Sequence, residues 1–310
     1  MTWPNLAGEG KKKSERNGGT ICNVHGQSAF RHGHPSVGVE SLLMALVWIA
    51  SYPKSGNTWL RFLLANYLAG PVRHSEQVEE LIPNFTLDVD RTAFAAKAGL
   101  NLAKTHFPWS VLHPYAAATQ AALVVIRNPK DVLLSGLDYQ RLIGLQERDV
   151  SDLDYARAFI LHGGDMSWIA RGYGTLEDNV HSWTSGLLKT GSAGAIGDLP
   201  PRLLVRYERL KVDAAGELGR ILEFLGVRPD SQRMAQAVVA SGFEQMRALE
   251  VKEKTAGEHG WVFAGSEGGR DRYFVSKGRT GSSLAHIHPE LDQQFNERFH
   301  AVMLETGYAS

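Results

Sequence analysis

The stretch "WIASYPKSGNTWLRF", Trp48 to Phe62, has the form of a buried strand, a glycine-containing turn and the first turns of a helix. It is similar to a phosphate-binding loop, but Lys54 precedes Gly56, whereas a nucleoside triphosphate loop reads G-x-x-x-x-G-K-[ST]. Gly56 lets main-chain amides approach an anion, and the N–H groups of Asn57 and Thr58 open a helix whose dipole favours negative charge. The stretch predicts an anion site, with an ordinary turn and a solvated lysine as the alternative.

Short apolar runs alternate with helical patterns along the rest of the chain. Strands are predicted at Ala45–Ser51, Leu100–His106, Ala121–Arg127 and Pro201–Tyr207, and helices at Thr58–Ala69, after Asn128-Pro129 and at Ala214–Leu225. Strands separated by helices imply right-handed crossovers and a mostly parallel sheet. We therefore expect an α/β, P-loop-like three-layer fold, with the central sheet flanked by helices.

Composition limits the classes of protein to consider. Lys+Arg and Asp+Glu number 33 each, so the formal net charge is zero, which provides no general attraction to nucleic acid or to an anionic membrane. The apolar stretch Leu42–Ala50 is far shorter than the roughly 20 residues of a spanning helix. One cysteine, Cys22, excludes an intrachain disulfide framework. A cytoplasmic protein is expected, with a disordered leader over residues 1–40 and a single domain over residues 41–310.

Polar side chains follow each predicted strand. These are Lys54, Lys104 with His106, Arg127, and Tyr207, and in an open parallel sheet ligands bind beyond these carboxyl ends. His106 and Lys104 are two residues apart on one strand, so they face the same side, and the lysine would keep the histidine neutral near pH 7. Each residue has a structural alternative alone, but together they predict one crevice for an anionic ligand.

Several motifs resemble those of the cytosolic-type sulfotransferases. "YPKSGNTW" resembles the family's 5′-phosphosulfate loop, "LAKTHFP" its K-T-H-x-P strand and "RNPKDVLLS" its 3′-phosphate segment. "RYERL", "SGFEQM" and "SKGRTG" are similar to three later elements, so the resemblance runs in order from Tyr52 to Gly281. The stretches "NVHSWTSG" and "ASGFEQMRALE" are also similar to bacterial sulfotransferases that modify natural products such as glycopeptide antibiotics.

The resemblance implies a ligand and a set of site residues. The ligand is 3′-phosphoadenosine 5′-phosphosulfate (PAPS), used as a co-substrate without a metal. The donor-binding residues implied are Lys54, Ser55, Gly56, Asn57, Thr58 and Trp59 at the phosphosulfate, Arg127, Ser135, Lys277 and Gly278 at the 3′-phosphate, and Tyr207, Ser241, Phe243 and Met246 at the adenine. His106 takes the position of the catalytic base, with Lys54 and Lys104 beside the transferring group.

The chain departs from the family pattern in two places. Ser276 stands where the family has an arginine, and Arg279 or Arg272 are the candidates to replace it. Asn57 replaces a threonine. The family's C-terminal dimer element is not visible, so no oligomeric state is predicted.

The function that these motifs imply is transfer of a sulfuryl group to a hydroxyl of a small phenol or alcohol. The insert from about Leu142 to Gly197 supplies Trp168, Tyr173 and Trp183, either as an acceptor pocket or as core. A nucleotide kinase is one alternative, but it would need the G-K-[ST] order and an acidic magnesium ligand. An inactive nucleotide-binding protein is the other, and it would be expected to lack Lys54 or His106.

Overall fold

Burial of β1 on both faces places it at the centre of the sheet. In the computed structural model all five residues of this strand, Leu46–Ala50, are buried. Val47 and Ile49 pack into one apolar cluster, and Leu46, Trp48 and Ala50 pack into another on the opposite face. A continuous apolar strand is what a parallel sheet covered on both sides requires.

The structure describes residues 46–85, 100–110, 115–144, 150–185, 199–257 and 272–309. The predicted leader and Cys22 lie outside these residues. The strands are β1 (Leu46–Ala50), β2 (Asn101–Thr105), β3 (Thr119–Ile126) and β4 (Arg202–Arg206). The helices are α1 (Asn57–Ala69), α2 (Ser75–Leu81), α3 (Pro129–Leu142), α4 (Asp152–His162), α5 (Met166–Ala170), α6 (Leu176–Thr184), α7 (Tyr207–Val212), α8 (Ala214–Phe224), α9 (Ser231–Ala240), α10 (Phe243–Ala256) and α11 (Leu291–Glu305).

The four strands are parallel and lie in the order β2-β1-β3-β4. The chain leaves β1 towards one edge to form β2 and then returns to the other side of β1 to form β3. This change of direction opens a crevice at the carboxyl ends of β1 and β3. The predicted α/β fold is confirmed, and each predicted strand agrees with the structure to within two residues.

Helices cover the two faces of the sheet. α1, α8 and α9 supply apolar residues to one cluster, which includes Leu63, Ile221 and Ala237. On the opposite face, Trp183 of α6 packs into the cluster of Trp48 and Ala50. In addition, α3, α4 and α11 build a further apolar cluster around Leu133, Phe159 and Phe295. The insert between β3 and β4 forms α4, α5 and α6, as its composition predicted. None of the helices among the described residues is long and apolar enough to cross a membrane.

Candidate functional site

A cavity of about 500 Å³ lies at the carboxyl ends of the strands. Its size is within the range of about 300–1,000 Å³ that is typical of small-molecule sites. The predicted strand-end residues all line it, namely Lys54, Lys104, His106, Arg127 and Tyr207. The structure thus brings side chains from four separate strand ends into one crevice.

The turn between β1 and α1 has the geometry of an anion cradle. Lys54 has a φ of 67° and Gly56, the residue before α1, has a φ of 105°, both in the left-handed region. No side chain caps α1, so its first N–H groups are not taken by an N-cap oxygen. A Cβ at Gly56 would lie 2.4 Å from Cδ2 of Tyr207, so only glycine leaves the aromatic ring in place.

Two predicted donor-binding residues in this turn direct their side chains elsewhere. Ser55 is buried and does not line the large cavity; it borders a separate space of about 10 Å³ beside Tyr52. Asn57 lines the large cavity, but its side-chain amide donates to the Ile49 carbonyl at 2.9 Å and to Ser51 Oγ at 3.1 Å. The main-chain N–H of Asn57 is therefore the group that it can offer to a ligand.

His106 is held through one ring nitrogen. Its Nδ1 lies 2.7 Å from the Ser51 carbonyl oxygen, which can only accept, so Nδ1 carries the proton. In the neutral ring Nε2 is then the acceptor. Burial first, and then the cation of Lys104, lower the pKa of His106 well below 6.5. The ring is therefore neutral near pH 7 and can accept a proton.

Lys54 and Lys104 are two partly buried lysines among those that line the cavity. Nζ of Lys54 lies 4.0 Å from the ring centre of Phe274 and 4.5 Å from that of Tyr139. Burial and the nearby Arg127 lower the pKa of Lys54 to about 7. Burial, followed by Arg61, lowers the pKa of Lys104 to about 7 as well. An anion in the cavity would stabilise the charged form of both lysines.

Arg127 joins two loops at the mouth of the cavity. Its Nη1 donates to the Lys54 carbonyl at 3.0 Å and its Nη2 to the Arg279 carbonyl at 2.7 Å. Its guanidinium carbon lies 4.4 Å from the ring centre of Tyr207, which in turn packs edge-on against Trp59 at 5.6 Å. The guanidinium, Tyr207 and Trp59 form one continuous side of the cavity.

Residues 273–282 lie along the mouth of the cavity, and we call them the late loop. Glu250 of α10 accepts from the N–H groups of Phe274 and Val275, and Asp131 of α3 accepts from those of Gly281 and Ser282. The middle of the loop is therefore held over the crevice by carboxylates on two helices.

The late loop contains Ser276, the position at which the family has an arginine, and its geometry determines which cations lie near that position. Ser276 and Arg279 line the cavity, whereas Arg272 donates to the Arg141 carbonyl and does not. Lys277 pairs with Asp138 at 3.3 Å. Lys211 of α7 also lines the cavity and donates to the Gly278 carbonyl at 2.5 Å. Arg279 and Lys211 are therefore the cations that could replace the family arginine at this position, and Lys211 was not predicted.

The remaining predicted residues also line the cavity: Thr58, Ser135, Ser241, Phe243, Met246 and Gly278. The aromatic residues of the insert separate into two groups. Trp168 and Tyr173 line the cavity, with the Tyr173 ring centre 5.5 Å from that of His106. Trp183 is instead a core residue, and its Nε1 donates to the Phe107 carbonyl.

Several cavity residues were missed at the sequence level. Asp138 and Tyr139 lie one turn after Ser135 on α3, and Arg61 lies one turn after Thr58 on α1, so helical spacing could have indicated them. Glu79, which pairs with Arg61 at 2.6 Å, and Phe274 reach the cavity only through tertiary packing. Among the described residues, no group of three or more His, Cys, Asp or Glu is placed to hold a metal ion.

Comparison with known proteins places this fold and site in one class. The family model described as "Sulfotransferase domain" matches residues 45–307. The chain therefore belongs to the sulfotransferase family, and both the predicted family and the predicted class of enzyme are confirmed.

The similar proteins are distant in sequence. Human sulfotransferase 2A1 is 25% identical over 213 residues, covering 65% of this chain and 66% of that protein, just under two thirds. A flavonol sulfotransferase-like protein of Flaveria bidentis is 23% identical over 278 residues, covering 84% of this chain and 82% of that protein. The crystal structure of mouse sulfotransferase SULT7A1 complexed with PAP aligns with a TM-score of 0.61 at 20% identity, covering 85% of this chain and 88% of that chain. At this identity the structural likeness shows the shared fold.

Proposed function

We propose that the protein transfers a sulfuryl group from PAPS to a hydroxyl of a small-molecule acceptor. The observation that carries the proposal is the meeting of Lys54, Lys104, His106 and Arg127, from three strand ends, in one cavity. A neutral imidazole beside partly buried cations suits transfer between an acceptor hydroxyl and an anionic leaving group.

The cavity fits a donor with phosphates at both ends of a nucleoside. The Gly56 turn and the free N–H groups that open α1 suit the phosphosulfate. Arg127 and Ser135, with Lys277 on the late loop, suit the 3′-phosphate. Trp59, Tyr207 and Phe243 offer ring faces and edges for the adenine. In support, the structurally similar mouse sulfotransferase SULT7A1 was crystallised in complex with PAP.

The donor, when bound, supplies the sulfuryl group and the phosphate on which negative charge remains. The chain's own part is to hold the acceptor hydroxyl near His106, whose Nε2 takes up its proton. Lys54 and Lys104 neutralise charge close to the reacting atoms. A positioned general base contributes on the order of 10²–10⁴ in rate.

For the acceptor we propose a phenol or alcohol with an apolar body. Tyr139, Trp168 and Tyr173 give one side of the cavity an aromatic surface beside His106. The relatives point the same way, since one is described as flavonol sulfotransferase-like and a structural neighbour as retinol dehydratase in complex with retinol and PAP. A cytoplasmic location is also proposed, because another relative is described as cytosolic sulfotransferase 1.

The proposal is tested with radiolabelled PAPS and a panel of phenols, steroids, sugars and peptide antibiotics. Label should appear in at least one hydroxyl acceptor, and adenosine 3′,5′-bisphosphate should bind without added metal. A protein that binds ATP in preference to adenosine 3′,5′-bisphosphate and phosphorylates an acceptor would be a kinase. A protein that binds the bisphosphate but labels no acceptor, with PAPS left intact, would be an inactive nucleotide-binding protein.

A further inference from the structure

The side chain of Asn57 connects the first residue of α1 to the end of β1. Its Nδ2 donates to two groups, the Ile49 carbonyl at 2.9 Å and Ser51 Oγ at 3.1 Å. Carbonyl oxygens cannot donate, so this contact also fixes which end of the amide is nitrogen. The residue is buried, and its two partners, the Ile49 main chain and the Ser51 side chain, lie on either side of Ala50, where β1 ends.

Ser51, which Asn57 holds, is the residue that contacts the ring of His106. The Ser51 carbonyl lies 2.7 Å from Nδ1 of His106, and Ser51 Oγ lies 3.3 Å from the same nitrogen. The main chain of His106 is fixed separately, because Nδ2 of Asn179 donates to the His106 carbonyl at 2.7 Å. The Ser51 N–H also donates to the Thr105 carbonyl at 3.2 Å, so the main chain of Ser51 is tied to β2 and Asn57 acts mainly on the position of the Ser51 hydroxyl.

We propose that Asn57 is a positioning residue for His106. Its amide fixes the Ser51 hydroxyl and the Ile49 carbonyl and so keeps the Ser51 oxygens beside Nδ1, which holds the proton on Nδ1 and leaves Nε2 as the nitrogen that accepts the acceptor's proton. The tautomer of a histidine is set by the hydrogen bond that its other nitrogen makes. The expected effect on turnover rests on the proposed function, whereas the expected effect on the tautomer concerns the His106 ring alone.

A purely stabilising role for Asn57 does not explain the surroundings of Oδ1, the oxygen of its side-chain amide. Its Oδ1 is buried without a hydrogen-bond partner among the described residues, and burying an unpaired acceptor is unfavourable. A leucine of similar size would avoid this cost but would lose both donated bonds. Asn57→Leu is therefore expected to fold, and its main-chain N–H remains at the start of α1.

Asn66 offers a matched control on the same helix. It is also buried, and its Nδ2 donates to two groups, the Phe62 carbonyl at 2.8 Å and Ser241 Oγ at 3.0 Å. The contact with Ser241 holds α1 against the end of α9, and neither contact involves His106. Asn66→Leu should therefore lower the melting temperature and leave the His106 tautomer unchanged.

The test compares wild type, Asn57→Leu and Asn66→Leu. Nitrogen NMR of the histidine rings, with the His106 signals assigned by their loss in His106→Gln, reports the tautomer. Turnover is measured with PAPS and nitrophenol as the probe acceptor, and the dissociation constant is measured for adenosine 3′,5′-bisphosphate.

Wild type should show the single Nδ1–H tautomer. Asn57→Leu, which cannot donate, should show mixed tautomers and a kcat lower by about 10- to 100-fold, the loss expected from a misplaced reacting group. Binding of the bisphosphate should stay within about twofold of wild type, because the α1 N–H groups remain.

An Asn57 variant that keeps both the single tautomer and the wild-type kcat would overturn the inference. So would a variant in which kcat and bisphosphate affinity fall together at an unchanged tautomer, because that result indicates a structural role in the loop. A wild-type protein that neither binds the bisphosphate nor transfers sulfate would overturn the proposed function instead. In that case the ring spectra would still decide what Asn57 does.

Discussion

Burial affects the role of His106 differently from the roles of Lys54 and Lys104. Burial disfavours the charged form of every cation, so it keeps the imidazole neutral and ready to accept a proton. The same burial brings the pKa of Lys54 and of Lys104 to about 7, so a part of each lysine is uncharged at neutral pH. At the residue scale the cavity therefore has its base in place, but its full positive charge develops only with an anion present.

Replacing His106 by glutamine should lower kcat by about 10²–10⁴, the contribution of a general base. The dissociation constant of adenosine 3′,5′-bisphosphate should change little, because the ring is not among the groups proposed to hold phosphate. Turnover and calorimetric binding are the two measurements. His181→Gln is the control, since that side chain is largely exposed and pairs with Glu305. Unchanged turnover in His106→Gln would exclude the histidine as base.

The pH dependence follows from the same pKa shifts. The pKa of His106 is lowered, so the base is lost only as pH falls through that low value, and the acid limb of kcat/KM should lie below pH 6.5. The free-enzyme lysines lose their charge as pH rises through about 7, so the alkaline limb of kcat/KM for the donor should begin there. In the pH profile of kcat, the alkaline limb should lie at higher pH than in the profile of kcat/KM, because bound donor raises the pKa of both lysines.

Replacing a lysine by arginine keeps the positive charge but removes its titration in this pH range. Lys54→Arg stays charged at all these pH values, so the alkaline limb of its kcat/KM should become less steep, because Lys104 alone then titrates near pH 7. Lys252→Arg, at an exposed position of α10, should leave the profile as it is. Steady-state rates from about pH 5 to 9 provide the comparison. An alkaline limb with the wild-type steepness in Lys54→Arg would show that Lys54 does not contribute to it.

At the scale of elements, α10 connects two parts of the molecule through two buried glutamates. Glu250 accepts from the N–H groups of Phe274 and Val275 and so holds the late loop at the cavity. Glu253, one turn away, accepts from the N–H and hydroxyl of Ser75 and so holds the start of α2. The two residues are alike in chemistry and burial but differ in what they hold.

Changing each glutamate to glutamine tests this difference. Each change weakens hydrogen bonds to a charged acceptor, so each should lower the free energy of unfolding by about 1–3 kcal/mol. Glu250→Gln should also weaken bisphosphate binding by about tenfold and speed amide hydrogen exchange in the late loop, whereas Glu253→Gln should do neither. Denaturant unfolding, calorimetry and exchange measure the three quantities. Equal loss of affinity in both variants would mean that the loop contact has no particular role in binding.

Elements of this kind show where sequence reasoning succeeds. The strands were predictable because a short apolar run with turn residues at both ends has few alternatives in a parallel sheet, as Leu46–Ala50 illustrates. The strand-end residues followed from that topology. Glu250 and the late loop were not connected in advance, because a contact between residues 24 or 25 positions apart leaves no local pattern. The inward direction of the Asn57 side chain was missed for the same reason, since the preceding turn suggested only a ligand contact.

At the scale of the whole molecule, a formal net charge of zero coexists with a strongly local distribution of cations. Lys54, Lys104 and Arg127 all line the same cavity, and the neighbouring carboxylates of Asp131 and Glu79 are engaged with main-chain N–H groups or with Arg61. Long-range attraction of an anionic ligand is therefore weak, and selection depends on fit within the crevice. The late loop links the ends of β1 and β3 to α10 through Phe274 beside Lys54, the Arg279 carbonyl bound by Arg127, and Glu250. A ligand that fills the cavity should therefore stabilise these parts of the fold together.

Thermal unfolding with two nucleotides provides the corresponding measurement. Adenosine 3′,5′-bisphosphate at a hundredfold excess over its dissociation constant should add roughly 2.7 kcal/mol to the stability, a rise in Tm on the order of 5 °C for a chain of this size. ATP at the same concentration should give a much smaller shift, because the cavity offers a separate cation, Arg127, for a 3′-phosphate that ATP lacks. Arg127→Ala should remove most of the bisphosphate effect while leaving kcat at saturating donor largely unchanged, since the arginine holds the far end of the nucleotide. An equal shift with both nucleotides would show that the crevice does not recognise the second phosphate.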